Sequence, residues 1–188
     1  MSNDNLTNSI GDQQGIEFFD DGDRRPQRLA PTRSIKEAAR ETPVFAEVDV
    51  LVVGGGPSGT AAAIAASRVG AQVMLVERYN HLGGLSTGGL VIWIDRMTDW
   101  DGNQIINGLA HDFMDHLPSD AILGPAKTDW GSRDSATAAY WAQRTAAYHG
   151  IVTWSPTIDP EALKTLSLTM IQEQNVDLLL RTWATEPI

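Results

Sequence analysis

One stretch of about thirty residues constrains this chain more than any other. Residues 48–53 read Val-Asp-Val-Leu-Val-Val, a run dominated by β-branched side chains. Such a run suits a strand buried on both faces of a parallel sheet. Gly54-Gly55-Gly56-Pro57-Ser58-Gly59 follows at once, and residues 60–69 are rich in alanine and read as a helix that Gly70 stops. Residues 72–77, Gln-Val-Met-Leu-Val-Glu, give a second strand that ends on an acid. This is one βαβ unit of the expected size. The fold class is therefore α/β, with a Rossmann-like parallel sheet built on that unit.

Within the unit, Gly54-x-Gly56-x-x-Gly59 has the context that gives a glycine pattern meaning: strand before, helix after, second strand closing on a carboxylate. Gly54 permits the tight turn out of the strand. Gly56 lets the backbone approach a pyrophosphate, because no Cβ intervenes. Gly59 lets the helix lie close on the strand. The helix N-terminus offers free N–H groups and partial positive charge to phosphates. Glu77 lies 18 residues after Gly59, where a carboxylate accepts hydrogen bonds from a ribose. A 2′-phosphate there would be repelled, which disfavours NADP. Two blander readings stand beside these: glycines that only make a turn, and a surface Glu77 paired with Arg78. The fingerprint does not by itself separate FAD from NAD.

A second glycine cluster follows, Leu82-Gly83-Gly84-Leu85-Ser86-Thr87-Gly88-Gly89. Together with residues 48–59 and Val76-Glu77-Arg78-Tyr79, it resembles the N-terminal part of FAD-dependent oxidoreductases of the glutathione-reductase-like class. Asp159-Pro160-Glu161-Ala162-Leu163-Lys164 resembles the same group, in which it opens a helix before a strand that rejoins the FAD domain. The resemblance covers roughly residues 44–185. It implies that Gly54, Gly56, Pro57, Ser58 and Gly59 cradle the FAD pyrophosphate. It also implies that Glu77 binds the adenosine ribose with Arg78 beside the adenine. Gly84, Ser86 and Thr87 would pass near the pyrophosphate, ribityl chain or flavin ring. Members of the group continue well past the length seen here, so the resemblance implies an incomplete FAD domain. An open sheet edge would favour a second chain supplying the missing half.

The organisation follows from these landmarks. Residues 1–43 are expected to be a polar, flexible leader, with a short helical turn over 34–40. Residues 44–95 form the FAD-binding βαβ core and glycine loop. Residues 96–158 form a partial α-rich insert or part of a substrate region, and 159–188 supply a helix and strand returning to the FAD domain. Inside these segments, 90–94 reads as a strand. Ile106, Leu109, Ala110, Phe113, Met114 and Leu117 fall at helical spacing, 136–149 reads as a helix, 151–158 as irregular, and 176–183 as a final strand. Leu163, Leu166, Met170 and Ile171 give the late helix its buried stripe.

Composition excludes several function classes. Lys plus Arg is 14 and Asp plus Glu is 24, giving a net charge of −10, which repels nucleic acid and anionic membrane. There is no cysteine, so a disulfide reductase with a redox-active cysteine pair is excluded. Residues 1–25 are polar and acidic, and a cytoplasmic location is expected. No catalytic residue is assigned. His81 sits just before the glycine loop, within reach of a flavin. His111 with Asp115 and Asp112 with His116 are i,i+4 pairs that read better as charge partners than as metal ligands. Asp95, Arg96 and Asp99 follow a strand end, where ligands gather in α/β folds or where a solvated turn sits.

The function expected is an FAD-dependent oxidoreductase, or its N-terminal FAD-binding portion, passing hydride between an organic small molecule and flavin. An NAD-binding dehydrogenase explains Glu77 but not the second cluster, and no Tyr-x-x-x-Lys pair is present. A non-catalytic nucleotide-binding fragment, or a subunit of a split flavoenzyme, is the third reading.

Overall fold

A computed structural model describes residue 39 and residues 41–185. The chain divides into two units, Met1–Val44 and Phe45–Ile188, and every element named below belongs to the second. Apart from Ala39 and residues 41–43, the expected leader and its helical turn lie outside the described residues.

Strand β1 (Val50–Val53), helix α1 (Pro57–Arg68) and strand β2 (Val73–Val76) form the βαβ unit. β1 and β2 are parallel, with Val50 opposite Val73 and Val53 opposite Val76. The reasons are local. Gly56 caps α1 in an extended conformation, and Pro57 begins the first turn with its φ already helical. At the other end Gly70 takes φ +90°, and its N–H donates to the carbonyl of Ser67. The small residues between let α1 lie close on the sheet, where Ala63 and Ile64 are fully buried.

The third parallel strand comes from far along the chain. Strand β7 (Asp177–Leu179) pairs with β2, Met74 opposite Asp177 and Val76 opposite Leu179, so the sheet order is β1-β2-β7. It is shorter than the strand expected over 176–183. Helix α4 (Pro160–Glu173) delivers it. Asp159 caps that helix by accepting from the N–H of Glu161 at 2.8 Å and of Ala162 at 3.3 Å. Leu163, Met170 and Ile171 of α4 are buried, as the stripe predicts, with Ser167 beside them. Ile64, Leu75, Leu82 and Ile171 centre the sheet core. Each side chain of this size, fully buried, contributes about 1.5–3 kcal/mol.

The chain between β2 and α4 is mixed. It holds helix α2 (Leu109–His116) and helix α3 (Ser135–Ala142), both shorter than their sequence patterns. It also holds β structure that the sequence did not announce. Strands β3 (Ile122–Leu123) and β6 (Thr157–Ile158) pair antiparallel, as do β4 (Ala147–Tyr148) and β5 (Ile151–Val152). Residues 143–149, expected to continue a helix, turn at Thr145 (φ +56°) and enter β4 instead. The strand expected over 90–94 reduces to a single bridge between Trp93 and Thr157. Met97, Met114, Trp154, Ile158 and Leu163 make a second core here. Trp130 stacks on Trp154 with ring centroids 4.8 Å apart.

Candidate functional site

The site grows from the turn after β1. Gly54 has φ +101°, a conformation that a side chain would strain. A Cβ on Gly59 would overlap the carbonyl oxygen of Gly54, so α1 can close on the turn only without one. Gly56 is different: a Cβ there would meet nothing within 4 Å, so its face of the turn is open to a ligand. Pro57 and Ser58 are exposed beside it at the N-terminus of α1. The Gly54 N–H is taken by the carbonyl of Val76 and Pro57 has none, so the donors left for a phosphate are the N–H groups of Gly56, Ser58 and Gly59 at the helix start.

Glu77 directly follows β2 and is only 6% exposed. Its Oε2 accepts the N–H of Gly55 at 2.5 Å, and its Oε1 accepts the N–H of Tyr79 at 2.8 Å. The carboxylate therefore braces the glycine turn as well as facing the groove. This excludes the reading of Glu77 as a surface acid paired with Arg78. Gly55, unassigned in the fingerprint, is held from the other side too: its carbonyl accepts the hydroxyl of buried Thr60 at 3.2 Å. A Cβ on Gly55 would overlap Leu82.

The second glycine cluster folds back on the first. The Gly83 N–H donates to the carbonyl of Gly55 at 2.8 Å. A Cβ on Gly84 (φ +49°) would lie 2.9 Å from the Cα of Gly56, so the two loops are in backbone contact. Residues Gly84–Ser86 make one tight 3-10 turn, which leaves Ser86 half-buried at the surface. Thr87 departs from expectation. It is fully buried, and its hydroxyl donates to the carbonyl of Leu82 at 2.8 Å. Its side chain braces the loop rather than facing a ligand, because the turn at Gly83 (φ +92°) folds the loop back over it. His81 is likewise part of the loop's frame: its Nδ1 lies 3.1 Å from the carbonyl oxygen of Leu82, and its ring stacks on Tyr79.

A groove of about 450 Å³ runs from this turn along the ends of β1 and β2, lined by Gly54, Glu77, Arg78, Tyr79, Thr182 and Trp183 among others. Arg78 lies 4.6 Å from the Tyr79 ring centroid and 5.7 Å from that of Trp183. This aromatic and guanidinium wall suits a flat base. Thr182 and Trp183 were missed by the sequence reading. The signal was available in principle: a strand parallel to β2 must bring its C-terminal end to Glu77. The backbone does so, since the Arg181 N–H donates to Tyr79 and the Thr182 N–H to Glu77.

Other candidates stand apart. His111 Nε2 lies 3.0 Å from Asp115 Oδ2, while Asp112 reaches Arg68 at 3.6 Å and ties α2 to α1. Asp99 organises a turn. Its carboxylate accepts from Asn103 and from the N–H of Asp101, which holds its pKa below the usual carboxylate value, chiefly through the Asn103 side chain. Arg96 lies 4.0 Å from the Trp100 ring centroid.

A parallel βαβ turn with an open glycine face, a braced carboxylate and a base-sized groove defines a dinucleotide-binding α/β protein. The comparisons make this specific. Residues 49–188 match the family model of FAD dependent oxidoreductases, and the chain belongs to that family. The cofactor that goes with this membership is FAD, which sets the NAD alternative aside. Thiamine thiazole synthase of Methanococcus vannielii is 40% identical over 114 residues, 57% of this chain and 44% of its own length. Fumarate reductase (cytochrome) of Shewanella frigidimarina is 40% identical over 72 residues, 36% of this chain and 13% of its own length. Urocanate reductase of Eggerthella lenta is 31% identical over 117 residues, 58% of this chain and 18% of its own. The chain thus spans less than half the length of these relatives. A geranylgeranyl bacteriochlorophyll reductase-like structure from Thermoplasma acidophilum overlaps 71% of this chain and 30% of its own, at 16% identity and TM-score 0.41, too loosely to build on.

Proposed function

We propose that this chain forms the FAD seat of an oxidoreductase that exchanges hydride between a small organic molecule and flavin. The observation that carries the reading is the contact between the two glycine loops, closed on one side by buried Glu77. Gly54, Gly56, Pro57, Ser58 and Gly59 would receive the pyrophosphate. Gly84 and Ser86 would border the same path, and Glu77 the ribose. Arg78, with Tyr79 and Trp183, would flank the adenine. The open face at Gly56 fits a ligand that must approach backbone closely, and the missing Cβ at Gly84 lets the second loop close on the first. When bound, FAD supplies the redox chemistry. The chain's own residues bind and orient: helix α1 offers its first-turn N–H groups, and Glu77 keeps the turn in its binding shape by holding Gly55.

A further polypeptide would extend the sheet at β1, one of the two edges of the three described strands. That polypeptide is either more of this protein or a second chain. A cytoplasmic setting is part of the proposal and rests on the polar, acidic first 25 residues; cell fractionation tests it.

The test is a visible spectrum after incubation with FAD and gel filtration. A retained flavin band near one equivalent supports the reading. Glu77→Gln turns one accepting oxygen into a donor that faces a backbone N–H, and should cost about 1–3 kcal/mol in the loop and lower flavin retention. A variant that retains flavin like the parent would remove Glu77 from the site.

A further inference from the structure

Beside the cofactor loop lies a second cavity, of about 400 Å³, which shares Pro57 and Ser86 with the proposed cofactor path and otherwise draws on residues given no part in it. Its walls come from four places: the start of α1 (Pro57, Ala61), the glycine loop (Gly83, Ser86), the segment from Ile94 to Met97, and the inward faces of α2 and α4. Ile94, Met97, Leu109, Phe113, Ile158 and Leu163 make the lining almost wholly apolar. Ala110 is exposed at its rim on α2. One formal charge borders it, the carboxylate of Asp95. Among the described residues no Lys, Arg or His forms an ion pair with Asp95, and the neighbouring Arg96 is stacked on Trp100 instead. The negative charge is also felt by Tyr148, whose hydroxyl pKa is raised by burial first and by Asp95 second.

We propose that this cavity binds a small, largely apolar molecule carrying one cationic or hydrogen-bond-donating group, of the arylalkylamine kind, with that group at Asp95. The volume falls in the range of small-molecule sites, which are mostly apolar with few polar anchors. α1, α2 and α4 wall it without closing it, and its volume suits a compact ligand rather than an extended peptide. The carboxylate at its edge favours a cation and opposes an anion. Its position deepens the proposed function and rests on it in one respect. Pro57 and Ser86 line the cavity and border the proposed cofactor path, so an occupant would lie against the flavin's loop, where a substrate belongs.

The experiment is a calorimetric titration of the full chain with tryptamine, indole and indole-3-acetate, with flavin content read by absorbance on the same samples. Tryptamine should bind about fivefold more tightly than indole, the modest gain of a partly exposed ion pair, and indole-3-acetate more weakly than either. Ala110→Trp, at an exposed position, should fill the cavity and weaken both by about tenfold or more while flavin content is unchanged. Asp95→Asn should remove the preference for tryptamine and leave indole binding as it was. Absence of tryptamine binding, or binding unmoved by Ala110→Trp, overturns the proposal, as does a preference for indole-3-acetate. Loss of flavin retention in the parent chain would instead count against the FAD seat, and the two failures are read from different signals.

Discussion

A single methyl group at position 59 would meet the carbonyl oxygen of Gly54, with no flexible side chain to yield. Gly59→Ala should therefore destabilise the unit by about 1–3 kcal/mol, read as a lowered urea midpoint, and weaken flavin retention with it. At this scale the sequence was informative where chemistry is local. Gly54 and Gly59 are fixed by the turn itself, the first by its positive φ and the second by the Gly54 carbonyl, whereas the space left open at Gly56 is room for a ligand. Gly55 and Thr87 were less legible. Gly55 is pinned by Leu82 and Glu77, partners 22 and more residues distant, which no local pattern records. The hydroxyl of Thr87 could serve a ligand or its own loop, and only the loop's path shows that it serves the loop.

Helix caps were the other readable feature. Asp159 was identified by the proline after it, and the structure gives it two backbone donors. Removing them with Asp159→Ala should cost about 1 kcal/mol of stability in a chemical melt. Asp134 caps α3 in the same manner, accepting from the N–H and hydroxyl of Thr137 at 2.9 and 2.8 Å. The Thr137 backbone bond first, and its hydroxyl second, hold the Asp134 pKa below the usual carboxylate value. A depressed folded-state pKa means that the contribution is present above the ordinary carboxylate range and is lost as pH falls through the lowered value. An acid titration followed by circular dichroism should show part of that loss disappear in Asp134→Asn, which cannot titrate. The short strands β3 to β6 left no trace in the sequence, since two residues cannot display a period of two. Tertiary packing sets their pairing: β3 and β6 lie against Trp154 and Ile158, and β4 and β5 against Ala138 and Trp141.

Across the whole unit, β1 is the exposed margin. Leu51 and Val53 are 57% and 60% exposed on the face away from Val50 and Val52, which pack against the core. An apolar free edge invites pairing with other strands. The purified chain should gain mass with concentration in light scattering, and Leu51→Lys should shift it toward monomer. Equal masses for the two across the same range would show that the edge is inert. The parallel β1-β2 pair was legible because its two strands lie within one short unit. The place of β7 beside β2 was legible only as a return, since its partner lies about a hundred residues earlier. That return has an architectural consequence. The excursion departs from Val76 and comes home on the adjoining strand at Asp177, two register positions back, opposite Met74. The stretch between α2 and α4 belongs to neither the glycine loops nor the sheet core, so it can be exchanged, lengthened or rebuilt by evolution without altering the register of β1, β2 and β7. The nucleotide seat is the part inherited; that stretch is the part free to diversify.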